Sequence, residues 1–259
     1  MSIERLHTGT PEWIRYFGNH IVRYQFAVDQ VKARLVENIL DIACGVGYGS
    51  HYLADSLPNS LVKGVDISSA AIEEANRVYG HGRISFNLAD AINLPAHITK
   101  VKYDLIVSLE TLEHLNSQEL FLKNICTMLK PGGVFIVSTP NVDITGHYEK
   151  GSQKFHTKEY TFEEFKSALS DAGFNSCVLY GQYYSAEGLL RNEIREELNL
   201  LKATPLVRLS FLLEKWLRKR NYLPVMPEKE SDFEIKEIGN NFSGKNSPFV
   251  FISVCQASL

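Results

Sequence analysis

The spacing of apolar positions changes character along the chain. Between residues 12 and 35 they recur every three or four places, through Trp13, Ile14, Phe17, Ile21, Tyr24, Val28, Val31 and Leu35, which predicts an amphipathic helix. The pattern then breaks into short apolar runs. "NILDIA", "LVKGVDI", "RISFNLAD", "YDLIVSL" and "VFIVST" read as five strands, the fourth fully buried between polar residues. Helices fall between them. One starts near Tyr48 and ends before Pro58, and the next is capped by Ser68 or Ser69. A third runs from Ser117 to Leu129 and is stopped by "LKPGG". Strands and helices alternating at this rhythm predict a parallel sheet covered on both faces. Ligands of such sheets bind beyond the carboxyl ends of the strands, where the glycine loop after "NILDIA", Asp66, Asp90 and Glu110 all fall.

The second half is less regular. "TFEEFKSALSDAGF" reads as a helix with Thr161 as its cap and Gly173 as its stop, and "NSCVLYGQ" as a sixth strand. Residues 185 to 220 suggest one or two amphipathic helices broken at Pro205. Residues 224 to 247 are polar and rich in turn formers, and "FVFISVCQ" reads as the last strand.

Composition narrows the picture little. With 259 residues, 44% hydrophobic and 22% charged, the chain can bury a sizeable core without staples. A net charge of −3 offers no global basic field, which argues against a nucleic-acid partner. Cys44, Cys126, Cys177 and Cys255 form no Cys-x-x-Cys pair and are expected to be reduced thiols. The opening "MSIERLHTGT" has no apolar core of a leader, and no run approaches the ~20 apolar residues of a membrane span. The expected location is cytoplasmic.

The loop "DIACGVGYGS" carries the first chemical signal. Gly45, Gly47 and Gly49 at alternate positions let a ligand approach bare backbone. A Walker-type phosphate loop needs Gly-Lys-Ser/Thr, but Tyr48-Gly49-Ser50 stands there. The dinucleotide fingerprint needs its third glycine one place later. A cofactor without phosphates, S-adenosylmethionine, fits better. Asp66 at the end of the second strand can accept from both ribose hydroxyls, and Asp90 and Ala91 follow the third strand where adenine would lie.

In order along the chain, "ILDIACGVGYG", "VKGVDIS", "FNLADAINLP", "YDLIVSLETLEHL" and "LKPGGVFIVSTPN" resemble class I S-adenosylmethionine-dependent methyltransferases, from about Glu37 to Phe174. The resemblance implies an α/β fold: a Rossmann-like, doubly wound sheet of seven strands, the last antiparallel and inserted beside the sixth, with a helical insertion before it. It implies three parts: a helical cap at 1–36; a cofactor-binding domain from 37–182 and 246–259; and an insertion at 183–245, a helical lid or oligomer contact. Implied cofactor contacts are Asp41, Ala43, Gly45, Asp66, Ile67, Asp90, Ala91 and Leu109, with Gly47 in the same loop. Ala43 stands where the family more often has glycine.

Methyl transfer to a hydroxyl requires alignment and removal of a proton. In "SLETLEHL" the spacing puts Glu110, Glu113 and His114 on one helical face. Three roles remain open. His114 can be the general base, because a histidine ordinarily titrates near neutrality. The three can hold a divalent metal such as Mg²⁺ that polarises the hydroxyl. Or Glu113 and His114 only shape the pocket. The Glu-x-x-Glu-His run resembles that of ubiquinone-pathway and small-RNA 2′-O-methyltransferases, where the side chains serve a metal. His156, in "KFHTKEYTFEEF" with Glu159, can complete that metal set, act as the base, or sit in a substrate-lid loop without chemistry; His147, Tyr148 and Lys150 lie in the same loop.

Together with "RYQFA" (Arg23 to Ala27), these motifs resemble methyltransferases of bacterial surface-polysaccharide and sugar biosynthesis. There the Arg-Tyr pair caps the methionine end of the cofactor, so Arg23 is implied to hold its carboxylate through a bidentate guanidinium; the alternative is a plain surface charge on the first helix. The expected activity is O-methylation of a sugar or glycan-related small molecule. The alternatives are a small-RNA or quinone-type O-methyltransferase and, from another class, a non-catalytic cofactor-binding protein. Leu206, Leu209, Leu213, Trp216 and Leu217 share a helical face. That face suits packing or a homodimer, whereas Trp216 with Lys215, Arg218, Lys219 and Arg220 suits peripheral membrane contact through 205–220.

Overall fold

The computed structural model describes residues 11–145, 156–189, 230–239 and 247–257, with positions 194, 212, 213 and 216. The chain divides into two compact units, residues 1–22 with 184–234 and residues 23–183 with 235–259. In the smaller unit the Ser185 amide donates to the Asp232 carbonyl at 2.8 Å, and Tyr184 packs on Phe233.

The larger unit carries the sheet. Helix α1 (Pro11–Val31) leads to β1 (Asn38–Ile42), α2 (Tyr48–Ser56), β2 (Leu61–Asp66), α3 (Ser69–Tyr79) and β3 (Ile84–Leu88). There follow α4 (Ala96–Thr99), β4 (Tyr103–Leu109), α5 (Gln118–Met128), β5 (Leu129–Pro140), α6 (Val142–Thr145), α7 (Phe162–Asp171) and β6 (Ser176–Tyr184). The last strands are β7 (Phe233–Glu237) and β8 (Val250–Gln256). The order across the sheet is β3-β2-β1-β4-β5-β8-β6-β7. Neighbours from β3 to β5 pair in parallel, while β8 runs antiparallel between β5 and β6. After β3 the chain returns to the other side of β1, so the order reverses between β1 and β4. That reversal opens a crevice at the carboxyl ends of these two strands.

The central strands are buried on both sides, which is why they read as continuous apolar runs. Leu40, Ile106, Phe135 and Val137 lie in one core with Phe121 and Ile125 of α5 and Phe165 and Leu169 of α7. Phe251 on β8 stacks on Phe165, with centroids 6.3 Å apart. Helix α7 carries the expected Thr161 cap as a full capping box with Glu164.

Three expectations are corrected. Helix α1 stops at Val31, so Leu35, counted in the apolar stripe, is 67% exposed. The polar stretch 224–247 contains a strand, because Phe233 and Ile235 alternate with Glu234 and Lys236 at the period of two that a pleated strand requires. That strand, β7, adds an eighth member beside β6, with the Ile238 amide donating to the Leu179 carbonyl. Cys177 and Cys255 are not thiols: β6 and β8 pair in a register that sets them opposite each other, and they form a disulfide. Their separation of 78 residues gives no hint of it in sequence. The insertion expected at 183–245, including most of the 205–220 segment, lies largely outside the described residues. Among the described residues, no helix is long and apolar enough to cross a membrane.

Because Phe251 is wholly buried against α7, Phe251→Ala should cost about 3–5 kcal/mol in urea unfolding. Leu61→Ala, at a site 56% exposed, should stay within about 0.5 kcal/mol of wild type.

Candidate active site

The glycine loop lies at the reversal of strand order. Ala43 (φ 60°), Gly45 (φ 55°) and Gly47 (φ 86°) are all left-handed. A Cβ on Gly47 would stand 2.6 Å from the Phe86 ring, so both conformation and space exclude a larger residue. Ala43 is therefore placed where glycine costs less: conformation, more than size, explains the family's usual residue. The Cys44 amide donates to the Val65 carbonyl, tying the loop to the end of β2. Asp66 completes the tie, with one carboxylate oxygen accepting from the Gly45 amide at 3.0 Å and the other from the Ser68 amide at 2.8 Å.

Asp41 is fully buried behind this loop. Its carboxylate accepts from the Ser50 hydroxyl at 2.6 Å and from the Tyr24 hydroxyl at 3.3 and 3.4 Å. Burial pushes its pKa up from 3.8 to about 7, against the lowering by these two hydrogen bonds. Among the other expected cofactor contacts, Ile67 and Asp90 are exposed at the rim, while Ala91 and Leu109 are half-buried. Asp90 accepts from the Ile92 amide at 2.9 Å. Arg23 is buried: its Nε donates to Gln182 Oε1 at 2.6 Å, and its Nη1 lies 3.6 Å from Glu110 Oε1.

The acid–histidine corner follows β4. Glu110, Glu113 and His114 do not share one helical face. A 3₁₀ turn begins at Leu112, and Glu110 before it has φ 50°. The Glu110 amide donates to the Ser138 carbonyl and hydroxyl oxygens, and its carboxylate accepts from that hydroxyl at 2.7 Å. Glu110 is thus turned toward Ser138 and Arg23 and stands outside the metal set expected for it.

Glu113 and His114 do come together with His156. The Thr157 amide donates to the Glu113 carbonyl at 2.7 Å, and the Thr157 hydroxyl bonds the Glu113 and Leu115 carbonyls. These bonds dock the 156–160 segment against the 3₁₀ turn. His114 and His156 then meet edge-to-face with centroids 4.8 Å apart, and one ligand atom from each of Glu113, His114 and His156 falls within 4.8 Å of the others. Glu113 Oε2 accepts from Thr139 at 3.2 Å, and Oε1 lies 3.7 Å from His114 Nε2. Burial first, and the Glu110 charge second, hold the Glu113 carboxyl well above the usual range. His156 Nδ1 is bonded to Glu159 at 2.5 Å. A carboxylate bonded to one ring nitrogen is the arrangement that orients a histidine ligand or base. As a donor set the trio suits a divalent ion. His147, Tyr148 and Lys150 lie outside the described residues.

Sequence reasoning missed Ser50, Ser138, Thr139, Thr157 and Gln182. Ser50, Ser138, Thr139 and Thr157 sat within motifs already quoted but had no role assigned, whereas Glu159 was singled out beside His156.

Comparisons with known proteins bear on the family and the fold. A family model described as a methyltransferase domain matches residues 36–198. A probable S-adenosylmethionine-dependent methyltransferase of Mycolicibacterium smegmatis is 29% identical over 201 residues, covering 77% of this chain and 74% of its own. Another, of Mycobacterium tuberculosis, is 29% identical over 170 residues, which span 65% of this chain and 59% of that relative. The crystal structure of a SAM-dependent methyltransferase from Thermotoga maritima has the same fold, with a TM-score of 0.56, 17% identity and 95% of each chain covered.

The Asp41 environment makes a pH prediction. The fold holds its proton up to about 7, while the unfolded chain releases it near 3.8. The contribution is therefore complete below about pH 4 and lost as pH rises through about 7. Between pH 5 and 8, denaturant unfolding should show wild type losing roughly 2–4 kcal/mol relative to Asp41→Asn. Parallel pH profiles would show that Asp41 titrates normally.

Proposed function

We propose that this chain, which belongs to the methyltransferase-domain family and is an S-adenosylmethionine-dependent methyltransferase, methylates a hydroxyl of a sugar or glycan-related small molecule. The observation that carries the hydroxyl assignment is the pairing of His114 with His156, the latter oriented by Glu159, at the end of β4. A neutral amine attacks a sulfonium methyl without a base, whereas a hydroxyl needs its proton removed as the bond forms. In the proposed reaction the acceptor oxygen attacks the methyl carbon in line with the departing sulfur. The proton passes to an imidazole nitrogen and S-adenosylhomocysteine leaves. The sugar assignment is supported by the resemblance carried by "RYQFA", "SLETLEHL" and "FHTKEYTFEEF", and by a corner rich in partly buried polar groups suited to a polyhydroxylated acceptor.

The loop residues are assigned to the cofactor. Asp66 would face the ribose hydroxyls, Gly45 and Gly47 the amino-acid end, and Ile67, Asp90 and Ala91 the adenine, with Arg23 at the methionine carboxylate. Arg23 already has Gln182 and Glu110 as partners, so it would reach the carboxylate within a shared network. A second reading follows from the same trio. Glu113, His114 and His156 would hold a divalent metal such as Mg²⁺, which would polarise the acceptor hydroxyl.

Incubation with radiolabelled S-adenosylmethionine and panels of hydroxyl and amine acceptors tests this. Label should enter sugar hydroxyls. His114→Ala and His156→Ala should each lower kcat by about 10²–10⁴-fold while S-adenosylhomocysteine still binds. Transfer to amines alone would overturn the O-methyl reading. Loss of activity on chelation, restored by Mg²⁺, would favour the metal over the histidine base.

A further inference from the structure

Glu110 stands outside the trio of Glu113, His114 and His156, and its surroundings point to another partner. It follows Leu109, the last residue of β4, at the rim of the crevice between β1 and β4. Its backbone is left-handed, a conformation that residues other than glycine adopt only at a cost. Ser138 of β5, which pairs with Leu109, holds it there. The Glu110 amide donates to the Ser138 carbonyl at 3.2 Å and to its hydroxyl at 3.0 Å. The same hydroxyl donates to Glu110 Oε1 at 2.7 Å. Arg23 Nη1 lies 3.6 Å from that oxygen, longer than a hydrogen bond. Oε2 has no hydrogen bond among the described residues, and the Glu110 side chain is 21% exposed, against 1% for Arg23.

A guanidinium beside a carboxylate matches one feature of S-adenosylmethionine: its amino-acid end carries an anion and a cation on one carbon. We infer that Glu110 is the acceptor for the cofactor's α-ammonium group, next to the carboxylate assigned to Arg23, and that Ser138 is the residue positioning it. An ammonium N–H donates to Glu110 Oε2, while Oε1 stays with Ser138. Such a bond joins two opposite charges at a partly buried site, which makes it worth about a 10–100-fold change in affinity. Arg23 alone attracts any carboxylate; the two groups together select an amino acid. A glutamate that only neutralised the buried Arg23 would serve every ligand alike, and this difference separates the two roles.

The inference rests on the S-adenosylmethionine-dependent activity, so the first measurement is calorimetric binding of S-adenosylhomocysteine to the full wild-type chain. The second is binding of its deamino analogue, in which hydrogen replaces the α-ammonium. Neither ligand carries the sulfonium charge, so the ratio of their Kd values reads the ammonium alone. Wild type should prefer S-adenosylhomocysteine by about 10–100-fold. Glu110→Gln keeps the size of the side chain and can still accept from Ser138. It should cut the preference by about tenfold, through weaker binding of S-adenosylhomocysteine. Ser138→Ala should cut it by roughly 3–10-fold. Equal binding of the two ligands by wild type would overturn the inference. So would a Glu110→Gln variant that keeps the wild-type ratio, as expected if Glu110 serves a metal. A variant that weakens both ligands to the same degree, as expected if Glu110 only neutralises Arg23, would overturn it too. If Glu110→Gln does not fold, Ser138→Ala decides by the same ratio. A wild type that binds no S-adenosylhomocysteine would refute the activity itself, a failure distinct from equal binding of the two ligands.

Discussion

A carboxylate buried at the strand-order reversal sets the terms for the rest of the site. Asp41 has no exposed surface, and an acid in that position needs partners. It finds Ser50 ahead of it in the chain and Tyr24 behind it. Those two contacts bring β1, α2 and α1 to one point, and the loop between Asp41 and Ser50 must turn in the space that remains. Left-handed backbone at positions 43, 45 and 47 is the consequence, and Asp66 fixes the turn from β2.

A second buried acid organises the opposite wall of the crevice. Glu113 is held by Thr139 of β5 through its side chain and by Thr157 through its carbonyl. The first contact anchors the 3₁₀ turn to the sheet, and the second returns the chain after β5 to the same rim. His156 reaches His114 by this route across 42 residues of sequence. Glycine loop and acid–histidine corner are therefore built on adjacent central strands, with Arg23 and Tyr24, neighbours on α1, engaging one side each.

Much of this was legible in the sequence because the signals were local. Apolar runs bounded by polar residues marked the central strands, and the acids closing them marked the rim. The reading failed where the determining partner was distant or the backbone departed from a regular period. A helical face predicted for Glu110, Glu113 and His114 ignored the left-handed turn at Glu110, which Ser138, 28 residues away, satisfies. β7 was hidden because an edge strand needs only two inward apolar residues, and Phe233 and Ile235 sit among charges. The Cys177–Cys255 pair depends on the register of two strands whose cysteines lie 78 residues apart. The roles of Ser50, Thr139 and Gln182 are contacts of single uncharged polar residues, which carry no pattern of their own.

The central claim is that the crevice between β1 and β4 seats the sulfonium cofactor with its methyl directed toward the acid–histidine corner. A crystal structure of the full chain with S-adenosylhomocysteine tests it most directly. The account predicts the ribose hydroxyls on Asp66, the amino-acid end over Gly45 and Gly47, and the sulfur facing His114 and His156. Cofactor bound with its sulfur turned away from those histidines, or bound elsewhere on the molecule, would contradict it.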